Sequence, residues 1–136
     1  MTRSGLTDTW RSEVESQFSF LGGNGYIGPT LDAARGSIEY VSREFAITAH
    51  YGGRYEELSV EVASIGSKPD LKAELSELFV GAQLGPAQTI GHIGRSRHSI
   101  KKAVSSQADA LRTLLPMLND PRLNLLATYG RAVPIL

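Results

Sequence analysis

Two stretches of the sequence approach motifs of known chemistry. The segment Gly23 to Gly28 matches the G-x-G-x-x-G fingerprint of dinucleotide-binding loops letter for letter. That fingerprint binds a pyrophosphate only between a strand and a helix, where backbone amides meet the phosphate. Here a predicted helix precedes the segment and Pro29 follows it. We therefore interpret the segment as part of a glycine-rich loop.

The second stretch, Gly94-Arg95-Ser96-Arg97-His98, is one residue away from the nucleophile elbow G-x-S-x-G. His98 stands where the strained turn of that motif needs glycine. The sequence therefore favours Ser96 as the N-cap of a helix, and a hydrolase that uses Ser96 and His98 is a minor alternative. No other residue set suggests a catalyst, so we expect a protein that is not an enzyme.

Metal and cofactor sites are not indicated either. The three histidines, His50, His92 and His98, have none of the spacings typical of metal ligands, and the chain contains no cysteine. We therefore expect neither a metal ion nor another cofactor.

The densest group of cations lies at the predicted start of a long C-terminal helix. Its members are Arg95, Arg97, His98, Lys101 and Lys102. Cations at this end oppose the helix dipole at a cost of about 0.3–1 kcal/mol, which a bound phosphate or the acidic part of the chain would offset. Nucleic-acid-binding domains are usually basic overall, whereas this chain has no net charge. An anion- or nucleic-acid-binding module is therefore the alternative function.

Glutamates dominate the polar side of the predicted sheet. The candidate partner-binding residues there are Glu39, Glu44, His50, Tyr55, Glu57 and Glu61. An acidic surface that contains a tyrosine suits a basic protein partner, so the leading prediction is a module that binds another protein. A homodimer that closes over the glutamates is left open.

A three-stranded antiparallel meander, predicted over about residues 37–65, would position these side chains. Apolar and polar residues alternate over 45–51 and again over 57–62, with Gly52-Gly53 between them. This is a strong hairpin signal, because glycine reaches the positive φ of primed turns. A two-residue loop at 52–53 and a four-residue loop at 52–55 both keep the apolar residues on one face, so the register stays open.

Apolar stripes predict helices around the meander. Leu6, Trp10, Val14, Phe18 and Leu21 indicate an N-terminal helix capped by Thr7 or Asp8. A second helix is predicted over 71–81, where Ser67 and Asp70 would form a capping box before it and Gly81 would end it. A third is predicted over 96–115, because Pro116 should end or kink it. A short fourth helix is predicted over 121–129. Segments 22–36 and 82–94 are expected to be irregular. A sheet that is apolar on one face must bury it, so we expect an α+β fold with an N-terminal helix and two to three C-terminal helices packed there.

The composition is typical of one domain over residues 1–136, with 41% hydrophobic and 21% charged residues. No apolar run resembles a signal or a membrane span, so we expect no membrane partner and a cytoplasmic location. The zero net charge combines −5 over residues 1–94 with +5 over residues 95–136. We expect these two parts to pack against each other, the alternative being an acidic and a basic surface for partners.

The succession of Phe18–Leu21, Ile38–Ser42, Phe45–Tyr51 and Leu58–Val62 before a leucine-rich helix resembles small bacterial proteins of unknown function. Some of these are grouped with the immunity proteins of polymorphic toxin systems. The likeness covers about residues 10–80 and the leucine-rich end of the long helix, and it consists of strand and helix patterns. It implies an inhibitor whose partner is a basic toxin domain, but it assigns no functional residue.

Overall fold

The computed structural model describes residues 3–66 and 70–132, with side chains from Gly5 onward. Its helices are α1 (Arg3–Gln17), α2 (Leu75–Gly81), α3 (Arg97–Leu118) and α4 (Leu125–Tyr129), with 3₁₀ turns at Ser19–Asn24 and Ala87–Thr89. Its strands are β1 (Ile27–Asp32), β2 (Ser37–Val41), β3 (Phe45–Gly52), β4 (Glu57–Ser64), β5 (Leu71–Glu74) and β6 (Arg131–Ala132). The strands form one antiparallel sheet in the order β1-β2-β3-β4-β5-β6.

The α+β class and the central meander are confirmed, but the predicted number of strands is wrong. Strands β2, β3 and β4 are the predicted three. Strand β1 forms within the segment that was expected to be irregular, and β5 forms where a helix was expected to begin. Strand β1 has a glycine at position 28 because it passes close to β2. A Cβ atom at this position would lie 2.6 Å from the carbonyl oxygen of Glu39. Pro29, next to it, is tolerated because β1 is an edge strand.

The β3–β4 hairpin adopts neither of the predicted registers. Gly52 pairs with Glu57, so the loop contains the four residues 53–56 and begins one residue later than expected. Within the loop Gly53 and Glu56 have positive φ angles of 80° and 52°, and Gly52 has a φ of 145° at the end of the strand. Ile47 consequently faces Val62. Because the shift is an even number of residues, the predicted apolar face is preserved.

The core lies between the sheet and the helices α1 and α3, as the apolar stripes predicted. Trp10 and Val14 on α1 and Phe18 just after it are at most 1% exposed, and so are Ile100, Val104 and Leu111 on α3. The ring of Trp10 stacks on that of Tyr51 with 5.7 Å between centroids. Helix α1 contacts β3 and helix α3 contacts β4. One face of the sheet is therefore buried by helices.

Several predicted helix ends are corrected. Helix α1 begins before Thr7 and Asp8, so neither is its cap. Gly81 does not close α2 in the left-handed conformation; it is needed because a Cβ atom would lie 2.6 Å from the ring of Tyr129. The predicted capping residue Ser67 lies outside the described residues. Pro116 is accommodated in the last turn of α3, which continues to Leu118, and α4 begins only at Leu125.

The N-cap of α3 is confirmed. The hydroxyl oxygen of Ser96 accepts the backbone N–H of Ser99 at 3.1 Å, and the hydroxyl oxygen of Ser99 accepts the backbone N–H of Ser96 at 3.0 Å. This reciprocal bonding satisfies two backbone donors at the start of the helix.

Candidate functional site

The candidate site is the sheet face that the helices leave uncovered, here called the open face. One row of directly paired residues crosses it from β1 to β5: Thr30, Glu39, Thr48, Glu61 and Glu74. We call this set the glutamate row. Neighbouring strands lie about 4.8 Å apart, so Glu39 and Glu61 are separated by about 10 Å and Glu61 and Glu74 by about 5 Å along the row.

Glu61 and Glu74 form a like-charge pair that the fold holds together. Partial burial raises the pKa of the Glu74 carboxyl, and the neighbouring carboxylates of Glu61 and Glu77 raise it further, while Arg131 and His50 oppose the rise. Arg131 lies closest to Glu77, with 3.4 Å between its Nη1 and the Oε1 of that carboxylate. The pair is therefore short of positive charge, and an incoming cation would be bound favourably there.

His50 lies beside this pair on the open face. Its Nε2 is 4.0 Å from the Oε1 of Glu61. That nitrogen is buried and has no hydrogen-bond partner among the described residues. His50 thus places an unpaired ring nitrogen next to the glutamate row.

A second row on the open face is apolar and runs parallel to the glutamate row. Ile27, Val41, Ala46 and Ala63 are successive partners across β1 to β4, and we call them the apolar row. The side chain of Ile27 is 82% exposed. Beyond Ala63 the same line of paired residues continues with Lys72 on β5 and Arg131 on β6, so these cations of the open face lie at the β5–β6 edge. An apolar strip beside charged residues is the usual anatomy of a protein-binding surface.

The structure brings together only part of the predicted partner-binding set. Glu39, His50 and Glu61 lie on the open face, and Glu57 lies at its end, where it bridges to Ile93. The other two predicted residues, Glu44 and Tyr55, lie beyond opposite ends of β3.

Glu44 belongs to the β2–β3 turn and is not opposite Glu61, which pairs with Thr48 and Glu74. Tyr55 belongs to the β3–β4 loop, where the guanidinium of Arg54 lies 5.8 Å from its ring centroid.

Glu74 is the site residue that sequence reasoning missed. It ends a strand of only four residues, which is too short for a clear alternation. One local signal was present, since Glu77 stands three residues further on and accepts the backbone N–H of Glu74 at 3.0 Å. That spacing indicates a helix start after Glu74, not before it.

The predicted basic cluster lies at the start of α3, and acidic side chains are close to several of its members. Arg97 lines a shallow depression together with Asp8 and Glu13 of α1. His98, Lys101 and Lys102 line another with Asp109. This arrangement favours neutralisation within the chain over an anion site. Arg95 is an exposed residue just before the helix.

The two near-motifs lack catalytic geometry in the structure. The segment Gly23 to Gly28 runs from a 3₁₀ turn into β1 and is not followed by a helix. The hydroxyl of Ser96 is hydrogen-bonded to that of Ser99 at 3.0 Å, within the N-cap of α3. Within residues 3–66 and 70–132, no three His, Asp or Glu side chains are grouped to hold a metal ion.

None of the helices in the described ranges has the length and apolar character that crossing a bilayer requires. Comparison of the chain with protein-family models, curated proteins and solved structures found no match.

Proposed function

We propose that this protein is a non-enzymatic binding module whose open face takes a basic surface of another protein. The observation that carries the proposal is the glutamate row beside the apolar row on the face that α1 and α3 leave uncovered. The apolar row would supply buried contact area, and the carboxylates would select and orient a partner that presents lysine or arginine.

The glutamate pair adds a free-energy argument. Glu61 and Glu74 repel each other in the free protein, and partial burial adds to the cost of charging Glu74. A cation placed between the two carboxylates removes this repulsion. The interaction is therefore more favourable in the complex than the same contact would be with an isolated surface glutamate.

A basic partner fits this face better than a second copy of the same chain. In a twofold dimer whose axis passes through the glutamate row, the carboxylates of one row would be buried against those of the other. Burying like charges without cations is strongly unfavourable. We therefore favour a different protein over the homodimer.

An immunity-type inhibitor is the specific form of this proposal. Toxins that act on nucleic acids have basic active-site surfaces, and an acidic sheet face is suited to cover such a surface. The likeness of the strand and helix patterns to small bacterial proteins, some of which are grouped with immunity proteins, supports the same form.

The test is charge reversal on the two faces of the molecule. The double variant Glu39→Lys/Glu61→Lys should lose at least tenfold in affinity for a partner captured from the native host and measured by calorimetry. Asp8→Lys, an exposed residue of α1 on the helical layer, is the matched control and should bind like the wild type. Equal affinity of the double variant and the wild type would rule out the open face as the binding surface.

A further inference from the structure

A cleft with a volume of about 460 Å³ lies at one end of β4, beside the open face. Its walls are β4 residues 57–60, the start of α2, the loop 87–92 and Gln107 of α3. This volume is within the range of sites for small ligands, about 300–1,000 Å³. The loop is held in place from both sides, since Gly91 donates its N–H to the hydroxyl of Ser106 at 2.8 Å and Leu58 donates its N–H to the carbonyl of His92 at 2.7 Å.

The cleft lies beside the part of β4 between the residues that pair with the loop and those that pair with β5. The N–H of Leu58 faces away from β3, so the C=O of Leu58 and the N–H of Val60 face the same way. The loop pairs with β4 no further than Leu58, and β5 begins to pair only at Glu61, opposite Glu74. The C=O of Leu58 and the N–H of Val60 therefore lie on this edge between the residues that pair with the loop and those that pair with β5.

Gln107 contributes an unused polar group. Its side chain is only 2% exposed, and its Nε2 donates to the carbonyl of Gly91 at 3.1 Å. Its Oε1 is buried and has no hydrogen-bond partner among the described residues. A buried amide oxygen without a donor costs about 1–3 kcal/mol, so a ligand that donates a hydrogen bond to it would recover this cost.

The charge of the cleft defines the ligand further. Glu57 and Glu74 both lie in its wall, whereas none of the lysines and arginines in the described part of the chain does. The apolar part of the wall comes from Leu58, Val60, Leu75 and Ile90.

We propose that the cleft binds a small amine that also carries an amide and an apolar side chain, as at the amino terminus of a peptide. The amide pairs with the C=O of Leu58 and the N–H of Val60. The amino group is attracted by Glu57 and Glu74, and a ligand donor reaches the Oε1 of Gln107. This ligand is distinct from the protein partner of the open face, and Glu74 lies in both sites.

The test uses L-leucinamide as the probe and amide chemical shifts of the full chain as the readout. Titration should move the backbone signals of Val60 and Gly91 and the side-chain amide of Gln107, with a dissociation constant in the millimolar range for a ligand of this size. N-acetyl-L-leucinamide, which lacks the charge, and isoamylamine, which lacks the amide, should each bind at least about fivefold more weakly, since each loses one charged or hydrogen-bonded contact.

Gln107→Leu keeps the size of the side chain and should weaken leucinamide binding about tenfold, whereas Gln17→Leu on α1 makes the same change outside the cleft and should have no effect. Glu57→Gln changes an exposed side chain, leaves the core intact and should also weaken binding. This variant therefore tests the proposal even if Gln107→Leu does not fold. The proposal is overturned if signals of the cleft do not move up to about 20 mM leucinamide, if the acetylated probe binds equally, or if neither variant loses affinity. Tighter binding of Leu-Gly-Gly amide than of leucinamide would identify a peptide terminus as the ligand, and equal binding a free amino-acid amide.

Discussion

At the scale of single residues, the sequence was sufficient for those side chains whose position follows from strict alternation. Glu39, His50 and Glu61 were placed on the polar face because each alternates with a buried neighbour in a long strand. Glu74 could not be placed, since its relation to Glu61 depends on the pairing of β4 with a short strand. A contact across strands is set by register, which alternation alone does not determine.

The like-charge pair gives a prediction at this scale. Glu61→Gln should stabilise the protein at neutral pH by about 0.2–1 kcal/mol, because like charges directly opposite in a sheet are destabilising. The measurement is the urea midpoint of unfolding. Glu39→Gln is the matched control, since its neighbours in the row are Thr30 and Thr48, and it should leave the midpoint nearly unchanged.

The same pair predicts how this effect depends on pH. The pKa of Glu74 is higher in the folded protein than in the unfolded chain, so its contribution to stability is fully present below the unfolded value and is lost as pH rises through the folded value. The advantage of Glu61→Gln over the wild type should therefore shrink as pH falls through the pKa of Glu74. An advantage that stays constant down to acidic pH would show that repulsion is not its source.

At the scale of elements, central strands were predictable and edge strands were not. Strands β3 and β4 separate a buried core face from a partly exposed face, and this difference imposes a period of two on the sequence. All six residues of β1 are exposed, so nothing imposes such a period there. The glycine and proline that suggested an irregular segment in fact belong to an edge strand, where a bulge separates the pairs of Ile27 and Thr30.

Strand β1 yields a prediction of its own. Gly28→Ala should destabilise the protein by about 1–3 kcal/mol, because its φ is 152° and the new Cβ would press on the carbonyl of Glu39. Gly22→Ala is the control, since a Cβ atom added there would have no described atom within 4 Å and the φ of Gly22 is not positive. Thermal unfolding of both variants measures the difference. Equal loss in the two would mean that β1 does not pack against β2 in this way.

At the scale of the whole molecule, the arrangement of helices and sheet followed from counting apolar faces. Two wide apolar stripes and one apolar sheet face leave a single simple solution, in which α1 and α3 cover the same side of the sheet. The charge pattern was also informative at this scale, since Arg97 of the basic part lies near Asp8 and Glu13 of the acidic part. The cleft could not be foreseen, because it arises where β4, the start of α2, a loop and α3 meet without sharing any sequence period.

The last prediction compares the two faces of the sheet at adjacent positions. Ile47 is fully buried beneath the helices, whereas Thr48, the next residue of β3, lies in the glutamate row and is partly exposed. Ile47→Ala should reduce the free energy of unfolding by about 2–5 kcal/mol, because it removes buried methyl groups and leaves a cavity. Thr48→Ala should change it by less than about 1 kcal/mol, since no core packing is lost. Urea unfolding of both variants gives the comparison, and a large loss at Thr48 would mean that the open face is covered in solution.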